Sequence, residues 1–137
     1  MTTTPPREVE TGAVALEMAL VAPLLILLTF GVIEFGLWIF NSAQASQAAR
    51  EAARVAMVLP PPPGTITSGP VYEAATRGVW ADAVAVTSTC SPVSCDYGGT
   101  VTVTVGWTHS FLTPIAFAVA GSSSVDVSGE STRQIAG

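Results

Sequence analysis

One stretch of this 137-residue chain limits every fold it can adopt: from Ala13 to Phe40 the residues are nearly all apolar, interrupted only by Glu17 and Glu34. Met18 to Ile33 carries no charge at all. About 20 apolar residues are enough to cross a bilayer as a helix. A cleaved secretory signal would have an apolar region of only about 7–15 residues after a positively charged start. Here the start holds Glu8 and Glu10 against a single Arg7. Trp38 and Phe40, followed by Asn41, suit the aromatic belt at the far end of a span. Pro23 lies inside the stretch, where membrane helices tolerate it. Gly31 and Gly36 are small positions at which a second helix can approach closely.

Residues before this stretch, MTTTPPREVETG, are polar and bury nothing, so residues 1–12 read as a leader that is disordered or removed. After it, Asn41 to Leu59 is rich in alanine, glutamine and arginine and continues the helix. Ala45, Ala49, Ala52 and Ala56 fall on one face. Such a seam serves either close helix–helix packing or docking onto the chain's own head, and the sequence leaves both open. A helix over residues 13–59 would be roughly 70 Å long, more than twice a bilayer core. Pro60–Pro63 and Gly64 end it, and residues 60–70 read as a stiff connector.

The remainder, residues 71–137, has room only for a small head. Val71–Ala83 reads as a short helix interrupted by Gly78. Val84–Thr89, Thr100–Thr108 and Ser124–Ile135 read as strands, the alternating Thr-Val run of the second being the clearest. The expected fold class is therefore α+β: a long N-terminal transmembrane helix, then a short helix and about three antiparallel strands. Phe111–Ala120 is apolar but too short for a second span. Trp80 and Trp107 are expected core anchors, and His109 a strand-end surface residue.

Composition excludes several functions. Charged residues make up 11%, against roughly 25% in ordinary soluble domains. The net charge is −5 and the five cations are scattered arginines, which argues against nucleic-acid binding. No nucleophile elbow, phosphate loop or metal-ligand cluster is visible, so no catalytic residue, cofactor or metal is assigned. Cys90 and Cys95 enclose a polar turn and are read as a small disulfide loop, which persists only outside a reducing cytosol. The other reading is a pair of free thiols.

The motif with the most functional content is Thr11-Gly12-Ala13-Val14-Ala15-Leu16-Glu17-Met18, a glycine closing a polar leader and a carboxylate five residues into an apolar helix. An ionised carboxylate at the bilayer centre costs about 2.5 kcal/mol or more, so it calls for a proton or a cationic partner. The arrangement is similar to that of the pilin superfamily. The run LEMALVAPLLILLTFGVIEFG, followed by QAAREAARVAM, resembles the TadE-like family of minor pilins over about residues 12–57. The shared elements are Glu17, Pro23, the Gly31-to-Gly36 element containing Glu34, and Ala48–Arg54. Two departures stand out: no basic residue adjoins Gly12, and Met18 follows the glutamate where an aromatic residue often stands.

The resemblance implies a non-enzymatic subunit of a tight-adherence (Tad/Flp-type) pilus system. A prepilin peptidase would cut between Gly12 and Ala13, and Glu17 would neutralise a neighbouring subunit's new amino terminus during assembly. The implied partners are that peptidase, other pilin-like subunits and the major pilin, within the lipid bilayer. The N-terminus would lie in the cytoplasm and the head outside it. Glu34, with Gly31 and Gly36, would contact a partner helix, unless Glu34 is simply a solvated boundary residue. The competing readings are a permanently anchored envelope protein with an exported binding head and no pilus role, and a secreted enzyme with a cleaved signal.

Overall fold

The chain was analysed as a computed structural model that describes residues 8–92, 95–113, 117 and 121–136, with side chains from residue 12 onward. Helix α1 (Glu8–Ala56) is followed by strand β1 (Gly64–Thr65), helix α2 (Pro70–Thr76) and strands β2 (Ala85–Ser91), β3 (Thr100–Ser110) and β4 (Ser124–Gln134). The strands form one antiparallel sheet in sequence order. The α+β class holds, with four strands rather than about three.

Helix α1 runs unbroken through Pro23. It begins at Glu8, five residues ahead of the expected Ala13, so part of the polar leader is helical; residues 1–7 lie outside the described set. Acidic residues near a helix N-terminus complement its dipole, which suits Glu8 and Glu10 to this position. After Ala56 the backbone makes one further turn, Met57 N donating to Ala53 O and Leu59 N to Val55 O, before the prolines remove further donors.

The expected stiff connector is stitched into the sheet edge. Gly64 and Thr65 pair with Ser88 and Thr87. Ile66 N donates to Val86 O, and the buried Ser88 Oγ donates to Pro62 O at 2.8 Å. Prolines keep their carbonyls, so a proline run can still accept hydrogen bonds along an edge. Helix α2 stops at Thr76, well short of the expected Ala83. Gly78 at φ 77° turns the chain there, in a region L side chains rarely enter.

Burial in the sheet follows the two-residue period of strands. Val101, Val103, Val105 and Trp107 of β3 face inward, opposite Cys90, Ser88 and Val86 of β2 and alongside Val127 and Gly129 of β4. Threonines alternate on the outer face, where Thr102 and Thr132 hydrogen-bond across strands at 2.7 Å and Thr108 Oγ1 donates to Asp126 at 2.9 Å. The inner face is covered by Ala45, Ala48, Ala49, Ala52, Ala53 and Ala56 of α1, with Val71 and Ala75 of α2 and Ile66 and Ile135. The alanine seam therefore serves the head, which settles the choice the sequence left open. The second half of α1 is the centre of the core.

Small side chains let the backbones meet. A Cβ at Gly129 would overlap the backbone of Ala45 and Ser46. Trp107 is the expected core anchor, whereas Trp80 is 92% exposed, because the chain beyond Gly78 runs over the surface instead of continuing α2.

Candidate functional site

The β3–β4 hairpin lies along α1 with its loop toward the apolar half of the helix. Four contacts fix this. Ala136 N donates to Met57 O at 2.9 Å. Gly129 packs on Ala45. Asn41 Nδ2 donates to Leu37 O at 3.0 Å and lies 3.1 Å from His109 Nδ1. Leu112 N donates to Glu34 Oε1 at 2.8 Å. From Met57 down to Glu34 the helix descends about 35 Å at 1.5 Å per residue. Eleven-residue strands cover about the same distance at 3.3 Å per residue.

Below Glu34 no described residue of the head covers the helix. Every residue from Gly12 to Ile33 is exposed in the single chain, and an apolar window within Gly12–Ala56 has mean hydropathy 2.3 with none of it buried. Twenty-two residues rise about 33 Å, close to the roughly 30 Å of a bilayer core. An isolated helix with leucine on all faces is unfavourable in water. Its length and uncovered state fit a single-pass membrane protein.

Glu17 sits on this bare segment, 17 residues or about 25 Å from Glu34. The two carboxylates form no pair. Gly12, Gly31 and Gly36 have open space where a Cβ would be, so their small size is not used within the chain. Glu34 is 5% exposed, which rules out the solvated boundary residue. What covers it is the head's own loop, a contact that neither sequence reading contained. Only the tertiary fold brings residue 112 beside residue 34, and no local pattern signals it. His109 is half-buried beside Asn41, with its ring 5.7 Å from that of Phe111.

At the opposite end of the head, Cys90 and Cys95 form a disulfide with a Cα–Cα separation of 5.2 Å. Val93 and Ser94 of that loop lie outside the described residues. Cys95 Sγ rests 3.0 Å from Pro61 O, a packing contact since a bonded sulfur carries no hydrogen. On the exposed face of α1, Arg54 makes a two-pronged contact with Glu51, Nη2 to Oε1 at 2.7 Å and Nε to Oε2 at 3.2 Å. The hydrogen bond from Arg54 holds the Glu51 carboxyl below its usual pKa and raises that of Arg54. Among the described residues no group of three or more His, Cys, Asp or Glu side chains is placed to hold a metal.

These features define a class: a single bare apolar helix whose distal half is the core of a small disulfide-closed sheet domain. Within that class, the model of the TadE-like protein family matches residues 12–54, which lie within the stretch on which the sequence resemblance rests. No curated protein and no solved structure matches the chain.

Proposed function

We propose that this chain is a minor pilin or pseudopilin of a Tad/Flp-type pilus assembly system, with a structural and not a catalytic role. The observation that carries the reading is Glu17, an exposed carboxylate on an otherwise apolar, uncovered helix, within the segment that matches the TadE-like family. Such a group is costly in hydrocarbon unless neutralised. Cleavage by a prepilin peptidase between Gly12 and Ala13 would create an amino terminus about 6 Å along the helix from it. The ammonium group of one subunit then meets Glu17 of its neighbour as helices pack side by side.

Gly31 and Gly36 are the proposed close-approach positions for that packing. Glu34 lies between them and carries the head's loop to the same level, so the partner contact proposed there includes the loop. The partners are the peptidase, related pilin-like subunits and the major pilin. The head is assigned to the extracytoplasmic side, in keeping with its disulfide.

The test compares intact masses and pili in cells with an active prepilin peptidase, using the wild-type chain and Glu17→Ala. The expected outcome is a wild-type product beginning at Ala13, and a variant that is cut and inserted but builds no pilus. Full-length protein alone would refute the processing step. Normal pili from the variant would remove the assembly role and leave the anchored envelope protein.

A further inference from the structure

The charges of the head are sorted by face. Beyond Arg7 the chain has four arginines, Arg50, Arg54, Arg77 and Arg133, and no lysine. Arg50, Arg54 and Arg133 line one cleft with Met57. Arg77 lines the adjoining cleft, and the two share Gln47 and Glu51. This is the side of α1 turned away from the sheet, since the alanines between these positions face the core. Against the four guanidinium groups stand the carboxylates of Glu51 and, on α2, Glu73. Glu51 is taken by Arg54, while Arg50 and Arg133 are in no ion pair among the described residues.

The outer face of the sheet is the converse. It is made mostly of threonine and serine, and its charged groups are the exposed Asp126 and Glu130 of β4, with no cation among its described residues. The fold pairs neither carboxylate with an arginine among the described residues. A head with a cationic helical side and an anionic sheet side is complementary to another copy of itself. Copies anchored in one bilayer by the bare helix stand parallel. A symmetric pair would set like charges against each other, which is repulsive. Only unlike faces fit, and such a contact leaves each copy with one face free, so it repeats from copy to copy.

The heights also fit. Gly129 lies against Ala45 and Ser46, which puts Glu130 near that level of α1. Arg50 stands one turn higher than Ser46, about 6 Å. A copy raised by that one turn therefore sets Glu130 beside Arg50 of its neighbour. Anionic lipid of the same bilayer is out of reach, because Arg50 lies about 24 Å along the axis from Glu34 and headgroups extend only roughly 5–8 Å beyond the hydrocarbon.

We propose that the arginine side of α1, centred on Arg50, Arg54 and Arg133, docks the Asp126–Glu130 face of a second copy. The contact rests on the pilus reading, which it deepens by naming how heads meet. Exposed ion pairs contribute little affinity, so this contact sets the register and direction of stacking while the bilayer keeps the copies close.

Photo-crosslinking in cells with an active prepilin peptidase tests it. The full chain carries benzoylphenylalanine in place of Ser128, exposed between the two carboxylates, or of Leu25 on the bare helix. The expected result at 128 is a covalent dimer whose adduct maps by mass spectrometry to residues 47–57 of the second copy. Asp126→Arg with Glu130→Arg should lower the dimer yield several-fold. Co-expression with a copy carrying Arg50→Glu and Arg133→Glu should restore it, because the attraction is then reversed and not removed. Subunit crosslinks at 25 with no dimer at 128 would overturn the head contact and leave assembly through the helices standing. An unchanged yield in the charge-reversed variant, or an adduct from 128 to a different protein, would overturn it as well. No crosslink at either position would overturn the assembly reading together with the contact.

Discussion

The two halves of α1 belong to one continuous helix yet invert the usual relation between size and burial. Residues 12–33 expose Leu20, Leu24, Leu25, Leu28 and Phe30. Residues 45–56 bury six alanines. In a water-soluble helix the large apolar residues would be the ones inside. Each choice here follows from what lies opposite. Lipid chains are fluid and accept bulky side chains from every direction. A β-sheet with Gly129 at the contact leaves no room beyond a methyl group. An alanine buries little area, so each contributes little by transfer from water. The seam gains instead from close approach of two backbones and the dispersion contacts that follow.

That contrast can be broken most forcefully at the tightest point. Gly129→Val places branched carbon into the backbone of Ala45 and Ser46, which has no side chain to move aside. The expected loss is about 3 kcal/mol or more in head stability, measured by urea unfolding in micelles. Leu25→Val in the bare half should leave the same transition unmoved, because Leu25 touches nothing in the head.

A smaller effect is expected at the boundary between the halves. Glu34→Ala leaves the Leu112 amide without its acceptor, a loss of about 1–3 kcal/mol. Hydrogen exchange should report it as lost protection at Leu112, with β3 and β4 protected as before. Retained protection at Leu112 would mean that the loop is held by something other than this carboxylate.

The smallest effect belongs to the solvent face of the head half. The Glu51 pKa is lowered by its hydrogen bond from Arg54, so its contribution is present at neutral pH and lost as the pH falls through the lowered value. Both groups are on the surface, and such pairs contribute little. Glu51→Gln should therefore leave the thermal midpoint at pH 7 within error of the wild type and flatten any acid-side dependence arising from this pair. A clear drop at pH 7 would show that this face is covered by something in the assembled state.

Much of the architecture was legible because it depends on local pattern. The Ala13–Phe40 stretch announced a helix long enough to span a bilayer, and the Thr-Val alternation of β3 announced both its strand and its inward face. The Cys90–Cys95 spacing allowed the disulfide that the fold closes. Errors arose where neighbours in space overrode local character. The Pro60–Pro63 run read as a stiff connector, yet the Pro62 carbonyl and the residues just after the run join the sheet edge. Trp80 looked like core because tryptophan usually is, but the chain turns outward after Gly78.

By itself the sequence determined that this chain has one long apolar helix, a small head with two cysteines five positions apart and a carboxylate near the start of the helix, since periodicity, length and spacing act over short distances. Only the tertiary structure decided that the alanine seam belongs to the head, that the connector is an edge strand, and that Glu34 carries the β3–β4 loop. Each of those depends on residues from 26 to 84 positions apart being brought together, and contacts at such separations are set by how the sheet packs on the helix, which no local pattern encodes.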